Sequence, residues 1–294
     1  MDRRAIVVGG VTCAVLLSAI ACSPLSPTVV THDIRVPLAA ERFADVGIAV
    51  TTADVRLSGA AADLVEGSAT YPASDGKPET STSSRESTAG GVAAFAVSQG
   101  PVSPASGKRL IDLRLNGGLP LDLNVTNGSG NSDLDLTLVD VQELKVNADS
   151  GNASVKLTGP HPSLSHASFA FGSGTASITA NGEYPALEGF EVDSGSGAVS
   201  IDLSGTWRKS FTARVRAKSG NVTLTLPRGA NIAVRGSVAS GKVAEPGFAR
   251  SRMPTDRPGA VFLRRAADNP SDFTLGIEVD LGSGTLTLRV PEKT

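Results

Sequence analysis

Four acidic residues crowd one short stretch of this chain: Glu183, Glu188, Glu191 and Asp193. Two carboxylates held about 5 to 10 Å apart across a glycosidic bond can cleave it, one as acid and the other as nucleophile or base. The flanking residues build no cleft, so a solvated face is the default reading. His32, His161 and His166 stand alone, the last two flanking Pro162 in a segment that reads as a loop. Neither a Gly-x-Ser-x-Gly elbow nor a His-Glu-x-x-His helix is present to give them nucleophilic or metal chemistry. Gly-Ser-Gly recurs at 128–130, 172–174, 195–197 and 282–284. A phosphate cradle needs a further glycine and a helix N-terminus; no helical periodicity follows any copy, so these read as corners. Residues 127–135 place Asp133 and Asp135 beside such a corner, where calcium is conceivable. A calcium-binding nonapeptide repeat needs a nine-residue period, which is missing, and Asp133 falls one position late. Arg250, Arg252, Arg257, Arg264 and Arg265 gather in a proline-broken segment and could meet anionic lipid or a wall polymer. Trp207, Tyr184, Phe190 and Phe211 could form a sugar-stacking patch, with packing at a corner the simpler role.

Composition narrows the classes. Among 294 residues, 27 Lys plus Arg face 29 Asp plus Glu, a formal net charge of −2. Nucleic-acid binding needs a basic surface to neutralise phosphates, and none is available. A charged fraction of 19 % and a hydrophobic fraction of 40 % exclude both a fully disordered chain and a polytopic membrane protein. No cofactor and no small-molecule substrate is expected.

The elements that must position these residues announce themselves by repetition. Ser-Gly pairs end at Gly130, Gly151, Gly174, Gly197, Gly220, Gly241 and Gly284, in steps of 21, 23, 23, 23, 21 and 43 residues. The last step spans about two repeats. An apolar residue precedes six of the seven corners (Val125, Val146, Phe169, Val192, Val215, Val279), and apolar residues alternate after it, as in Val199, Ile201 and Leu203. Alternation with period two marks strands with one buried face, and no 3.6-residue pattern is sustained after Ala21. The mature chain therefore reads as all-β. An antiparallel β-sandwich with Ser-Gly hairpins fits, as does a β-solenoid with coils of about 22 residues. The even spacing favours the solenoid, because stacked corners demand a constant perimeter and hairpins do not.

The remaining segments are irregular. Residues 34–115 read as an N-terminal cap with first β coils, around strands near 46–57, 62–71 and 92–97 and a loop at 74–91. Residues 116–294 form the repeat body, interrupted by 242–272, which reads as a bulging loop. At the N-terminus, Arg3 and Arg4 precede the uncharged stretch 5–21, which ends Leu17-Ser-Ala-Ile-Ala-Cys22. This resembles a bacterial lipoprotein signal peptide and its lipobox, with Ala19 where Leu is commoner. The resemblance implies removal of residues 1–21 and a diacylglyceryl group, with fatty chains such as palmitate, on Cys22. An ordinary secretory signal and an uncleaved anchor helix are the alternatives. Removing Asp2, Arg3 and Arg4 leaves a net charge of −3, so acyl chains rather than a polybasic patch must hold the protein on the extracytoplasmic face of the cell membrane. Residues 22–33, rich in Pro, Ser and Thr, read as the tether.

The motifs Ala53-Asp-Val-Arg-Leu-Ser-Gly59, Leu119-Pro-Leu-Asp-Leu-Asn-Val125, Ser219-Gly-Asn-Val-Thr-Leu-Thr-Leu-Pro227 and Gly282-Ser-Gly-Thr-Leu-Thr-Leu288 together resemble the toastrack group of bacterial domains. That group includes adhesin-like repeats and cell-wall-active antibiotic response proteins, and the resemblance covers roughly residues 34–294. It implies a right-handed β-helix-like solenoid outside the cytoplasmic membrane, without enzymatic activity. It also implies work in adhesion, scaffolding or envelope stress, with an envelope polymer or protein as partner.

Overall fold

The computed structural model describes residues 28–85, 91–103, 107–250, 260–268 and 273–291. Those residues are all-β and wind into a solenoid. Each central coil contributes one strand to a first sheet, turns at a Ser-Gly corner, contributes a strand to a second sheet, and returns along a short third side. The stretch 1–21 read as a signal peptide, Cys22, Arg252 and Arg257 lie outside the described residues.

In spatial order the first sheet stacks β5 (Glu79–Arg85), β6 (Gly91–Ser98), β2 (Glu41–Val50), β8 (Leu121–Asn127), β10 (Val141–Ala148), β12 (His166–Phe171), β15 (Gly189–Ser194) and β18 (Phe211–Ser219). Beyond β18 come β23 (Thr274–Arg289), β20 (Asn231–Ala244), β22 (Ala260–Arg265) and β21 (Ala249–Arg250). The second sheet stacks β1 (Val29–Val36), β4 (Val65–Pro72), β7 (Leu110–Leu115), β3 (Asp54–Ser58), β9 (Ser132–Asp135), β11 (Ala153–Lys156), β13 (Ala176–Thr179), β16 (Val199–Asp202) and β19 (Val222–Thr225), followed by the second halves of β23 and β20. The third side holds β14 (Glu183–Tyr184) and β17 (Thr206–Trp207), with a bridge from Pro160 to Glu183. From β6 to β20 every pairing in the first sheet is parallel; antiparallel strands occur only at the ends.

Alternation dictates the interior. Val46, Leu123, Leu144, Ala167, Phe190, Ala213, Ile277 and Val234 share one register column, all buried, and Leu57, Leu134, Val155, Ile178, Ile201, Leu224 and Leu288 share another in the second sheet. Each inward side chain rests on its counterpart one strand spacing away, about 4.8 Å. The corner explains the repeat. A Cβ on Gly174 would stand 1.8 Å from the carbonyl oxygen of Gly151, and one on Gly197 would stand 1.7 Å from that of Gly174. No side chain fits that column. Beside it, Asn131 Oδ1 accepts the backbone N–H of Asn152 at 3.1 Å, and Asn152 Oδ1 accepts that of Thr175 at 3.1 Å. These bonds satisfy corner amides that sheet pairing leaves over.

Several expectations need correction. Ser240-Gly241 stacks beyond Ser283-Gly284, not before it: β23 pairs with β18 and β19 on one side and with β20 on the other. The long 43-residue step is thus a detour outward and back, not a degenerate coil in passing. The segment 242–272, read as a bulging loop, continues β20 to Ala244 and then supplies β21 and β22, which fold antiparallel against the end. The loop read at 74–91 contains β5, paired with β6. Strand β1 begins at Val29, inside the stretch read as tether.

Candidate binding groove

The residues at the end of each first-sheet strand build a groove along the coil axis. Thr126-Asn127-Gly128, Asn147-Ala148-Asp149, Ala170-Phe171-Gly172, Asp193-Ser194-Gly195, Arg216-Ala217-Lys218 and Asp280 line it, enclosing about 890 Å³. Six coils at about 4.8 Å spacing make it roughly 24 Å long. Small residues at Ala148, Ala170, Gly172, Gly195 and Ala217 alternate there with Phe171 and with longer polar side chains. Gly172 and Gly195 cannot carry a Cβ, which would stand 2.0 Å from the Asp149 carbonyl oxygen and 2.4 Å from that of Gly172.

The polar groups of the groove are unequal. Asn127 is spent on its own corner: Nδ2 donates to the carbonyls of Gly130 and Asn131 at 3.0 and 3.3 Å, and Oδ1 accepts from Gly130 N at 3.2 Å. Ser194 occupies the equivalent place three coils on. It is only 7 % exposed, and its hydroxyl has no partner. A buried hydroxyl without a hydrogen bond is costly; Ser194 is in register with the buried Phe171 and Ala217, so that hydroxyl belongs to the interior and not to the open groove. Arg216 lies on the rim, held by Asp193 through Nε at 2.6 Å and Nη2 at 3.1 Å. That hydrogen bond, and then the charge of the carboxylate, raise the guanidinium's pKa further above its ordinary value.

The acidic stretch that could have worked on sugars is dispersed into such pairs. Glu191 meets Arg214 at 2.9 Å, Asp193 meets Arg216, and Glu188 lies 3.7 Å from Lys209. Arg214 also reaches Glu278 at 2.8 Å, and Glu278 pairs with Arg235, forming an alternating ladder across four strands. Further along the same sheet Asp45, Asp122 and Glu143 lie side by side; burial first, then the charges of Glu143 and Asp45, push the Asp122 carboxyl upward. Among the described residues no group of three His, Cys, Asp or Glu converges on a metal position.

His166 does touch a hydroxyl, that of Ser165, at 3.2 Å. Ser165 Oγ gives its proton to the Gln142 carbonyl at 3.1 Å, so the imidazole must donate to it. That polarity is the reverse of what activates a nucleophile. The aromatic residues form no surface patch. His161, Tyr184, Trp207 and Phe211 stack in sequence inside the third side, at centroid distances of 5.6, 4.5 and 4.8 Å, and Phe190 is buried against Phe169. Of the five arginines, Arg250 is paired with Glu245 and Arg265 with Asp268, while Arg264 is exposed on β22. The groove itself escaped the sequence reading because its signal is weak: only Gly172 and Gly195 repeat at 23 residues, while the place of Ala148 is taken by Phe171 on the next coil and that of Ala170 by Asp193. A second corner was equally visible, at Gly159, Gly182 and Gly205, where a Cβ on Gly182 would stand 2.0 Å from the Gly159 carbonyl oxygen.

A parallel β-solenoid with a polar-rimmed axial groove defines the class. The family follows: a model for the N-terminal domain of toast_rack, DUF2154, matches residues 26–179, more than half of the chain, and the chain belongs to that family. Among solved structures it is similar to a candidate cell adhesion protein from Clostridium sporogenes, with 15 % identity, a TM-score of 0.42, and coverage of 90 % of this chain and 100 % of that one. It is also similar to a candidate adhesin from Bacteroides fragilis, with 10 % identity, a TM-score of 0.30, and coverage of 89 % and 97 %. No curated protein matches the chain.

Proposed function

We propose that this protein is a non-enzymatic scaffold of the bacterial cell envelope, tethered by acyl chains on Cys22 at the extracytoplasmic face, that holds an extended polymer or polypeptide along its axial groove. The observation carrying the reading is the groove: six coils long, open along its length, and edged by polar side chains from Thr126 and Asn147 to Asp193, Arg216, Lys218 and Asp280. Such a surface suits a chain better than a compact substrate. The ion pairs that occupy Glu188, Glu191 and Asp193 weigh against glycan hydrolysis, and the internal pairing of Arg250 and Arg265 weighs against that segment as the main contact. A role beside an envelope stress sensor is compatible with the same groove.

Capture of partners from purified envelope fractions by the mature protein tests the reading. One polymer or protein should be enriched, and Ala170→Trp, which fills the groove, should abolish enrichment at unchanged thermal stability. Enrichment of nothing, or enrichment indifferent to Ala170→Trp, overturns it. For the anchor, Cys22→Ser should move the protein from the membrane to the soluble fraction.

A further inference from the structure

The large hydrophobic side chains that stand exposed among the described residues are Val29 (44 %), Val30 (37 %), Val102 (41 %) and Leu138 (63 %). Three of these four meet at one place. Val29 and Val30 pair with Pro72 and Tyr71 at the end of β4. The chain leaving β4 is tied back there by Ala73 N donating to the Thr28 carbonyl at 2.7 Å. The next turn then binds the segment that carries Val102: Gly76 N donates to the Pro101 carbonyl at 2.7 Å, and Ser103 Oγ donates to Asp75 Oδ1 at 2.6 Å. Asp75 and Arg109, both nearly buried, lock this junction at 2.6 Å. The result is a braced apolar tip, not a loose end. Lys77 and Lys108 flank it, both exposed, and Asp75 is neutralised by Arg109; the exposed Glu79 and Asp33 lie further along β5 and β1.

The position of this tip is what gives it meaning. Only five residues, six backbone steps, separate Cys22 from Thr28, the first described residue. Fully extended they reach about 20 Å at most. Resting on the reading that Cys22 carries acyl chains, the tip cannot be far from the bilayer surface. We infer that the N-terminal end of the solenoid docks on that membrane, with Val29, Val30 and Val102 entering the headgroup region and Lys77 and Lys108 facing anionic headgroups. Anchoring is left to the acyl chains; the tip sets orientation. The coil axis is then directed away from the membrane, and the axial groove is carried outward.

The full, processed chain in vesicles of phosphatidylethanolamine with one quarter phosphatidylglycerol provides the test. Cys13 leaves with the leader and Cys22 is blocked by lipid, so a cysteine introduced at Thr31 or at Lys242, on the far end, is the sole free thiol for a fluorophore. Headgroup-level lipid quenchers should quench the Thr31 probe at least threefold more than the Lys242 probe. Val29→Ser combined with Val30→Ser and Val102→Ser should erase that difference while the protein still floats with the vesicles; Leu138→Ser should not. Equal quenching at both probes, or a difference that survives the triple substitution, overturns the docking. Mass spectrometry of the N-terminal peptide keeps the two ideas apart. An unmodified Cys22 overturns the anchor and the docking together, whereas a lipidated Cys22 with equal quenching overturns the docking alone.

Discussion

Between Leu121 and Thr225 the coils stack in the order in which they occur along the chain; at both ends they do not. At the N-terminal end, β2 and β3 precede β6 and β7 in sequence but lie one coil inside, covered by them. At the C-terminal end, β23 follows β20 and β22 in sequence but lies one coil inside, covered by β20. Antiparallel strands then close each end: β5 and β4 with β1 on one, β22 with β21 on the other. A solenoid that merely stopped would expose a full coil of unpaired edge, a template for aggregation. Both ends avoid this by burying the terminal coil and presenting a reversed strand outside. They differ in completeness. The N-terminal end is covered in both sheets, whereas β22 covers β20 only from Ile232 to Ser237. From Val238 to Ala244 no strand among the described residues pairs with the outer edge.

The sharpest way to break this comparison is to remove one strand from each end. Deleting 274–294 withdraws Leu275, Ile277, Val279, Leu281, Leu286 and Leu288 from the core and separates β20 from β18. Cooperative thermal unfolding, followed by circular dichroism, should be lost. Deleting 29–36, of which only Ile34 is buried, should lower the midpoint by a few degrees at most. Next in size are the corner glycines. Gly174→Ala, locked between neighbouring coils, should cost about 3 kcal/mol in chemical denaturation. Gly241→Ala meets an equally close carbonyl, at 1.9 Å, but sits in the outermost coil, which can yield outward, and should cost clearly less.

A third test uses pH. His161 is fully buried, stacked on Tyr184, with no partner for either ring nitrogen. Burial lowers its pKa, opposed by the charge of Asp140 and the carbonyl of Val139. The unfolded chain therefore takes up the proton first as pH falls. Stability should be level above the ordinary value of 6.5 and decline below it until the folded value is reached, by up to about 1.4 kcal/mol per pH unit. His161→Phe should flatten that segment of the curve, measured by denaturant midpoints at successive pH values. The smallest effect belongs to Arg216→Ala on the groove rim, a solvent-screened pair whose loss should leave the melting midpoint within error.

What the chain reveals of itself follows from which interactions repeat. Ser-Gly corners and alternating aliphatics recur because every coil meets the same steric demand, so strands such as β11, β13, β16 and β19 are legible from Ala153 to Thr225. The order of coils at the ends is not, since β20 and β23 carry the same alternation and would suit either place. The same ambiguity hid β5, whose Thr and Ser face water on both sides and leave no periodic trace. Charge partners were equally obscure. Glu191 and Asp193 looked like a local acidic cluster, yet their partners Arg214 and Arg216 lie 23 residues on and face them only once the coils are in register.

The inward place of β23 has a consequence for biosynthesis. Ribosomes release a chain from its first residue to its last, so the strand that fills the gap between β18 and β20 is made after both of them. Until it arrives, two aliphatic faces and two strand edges stay open. An interrupted product therefore differs conspicuously from a finished one, and a protease that attacks open edges would discard the fragment and spare the whole.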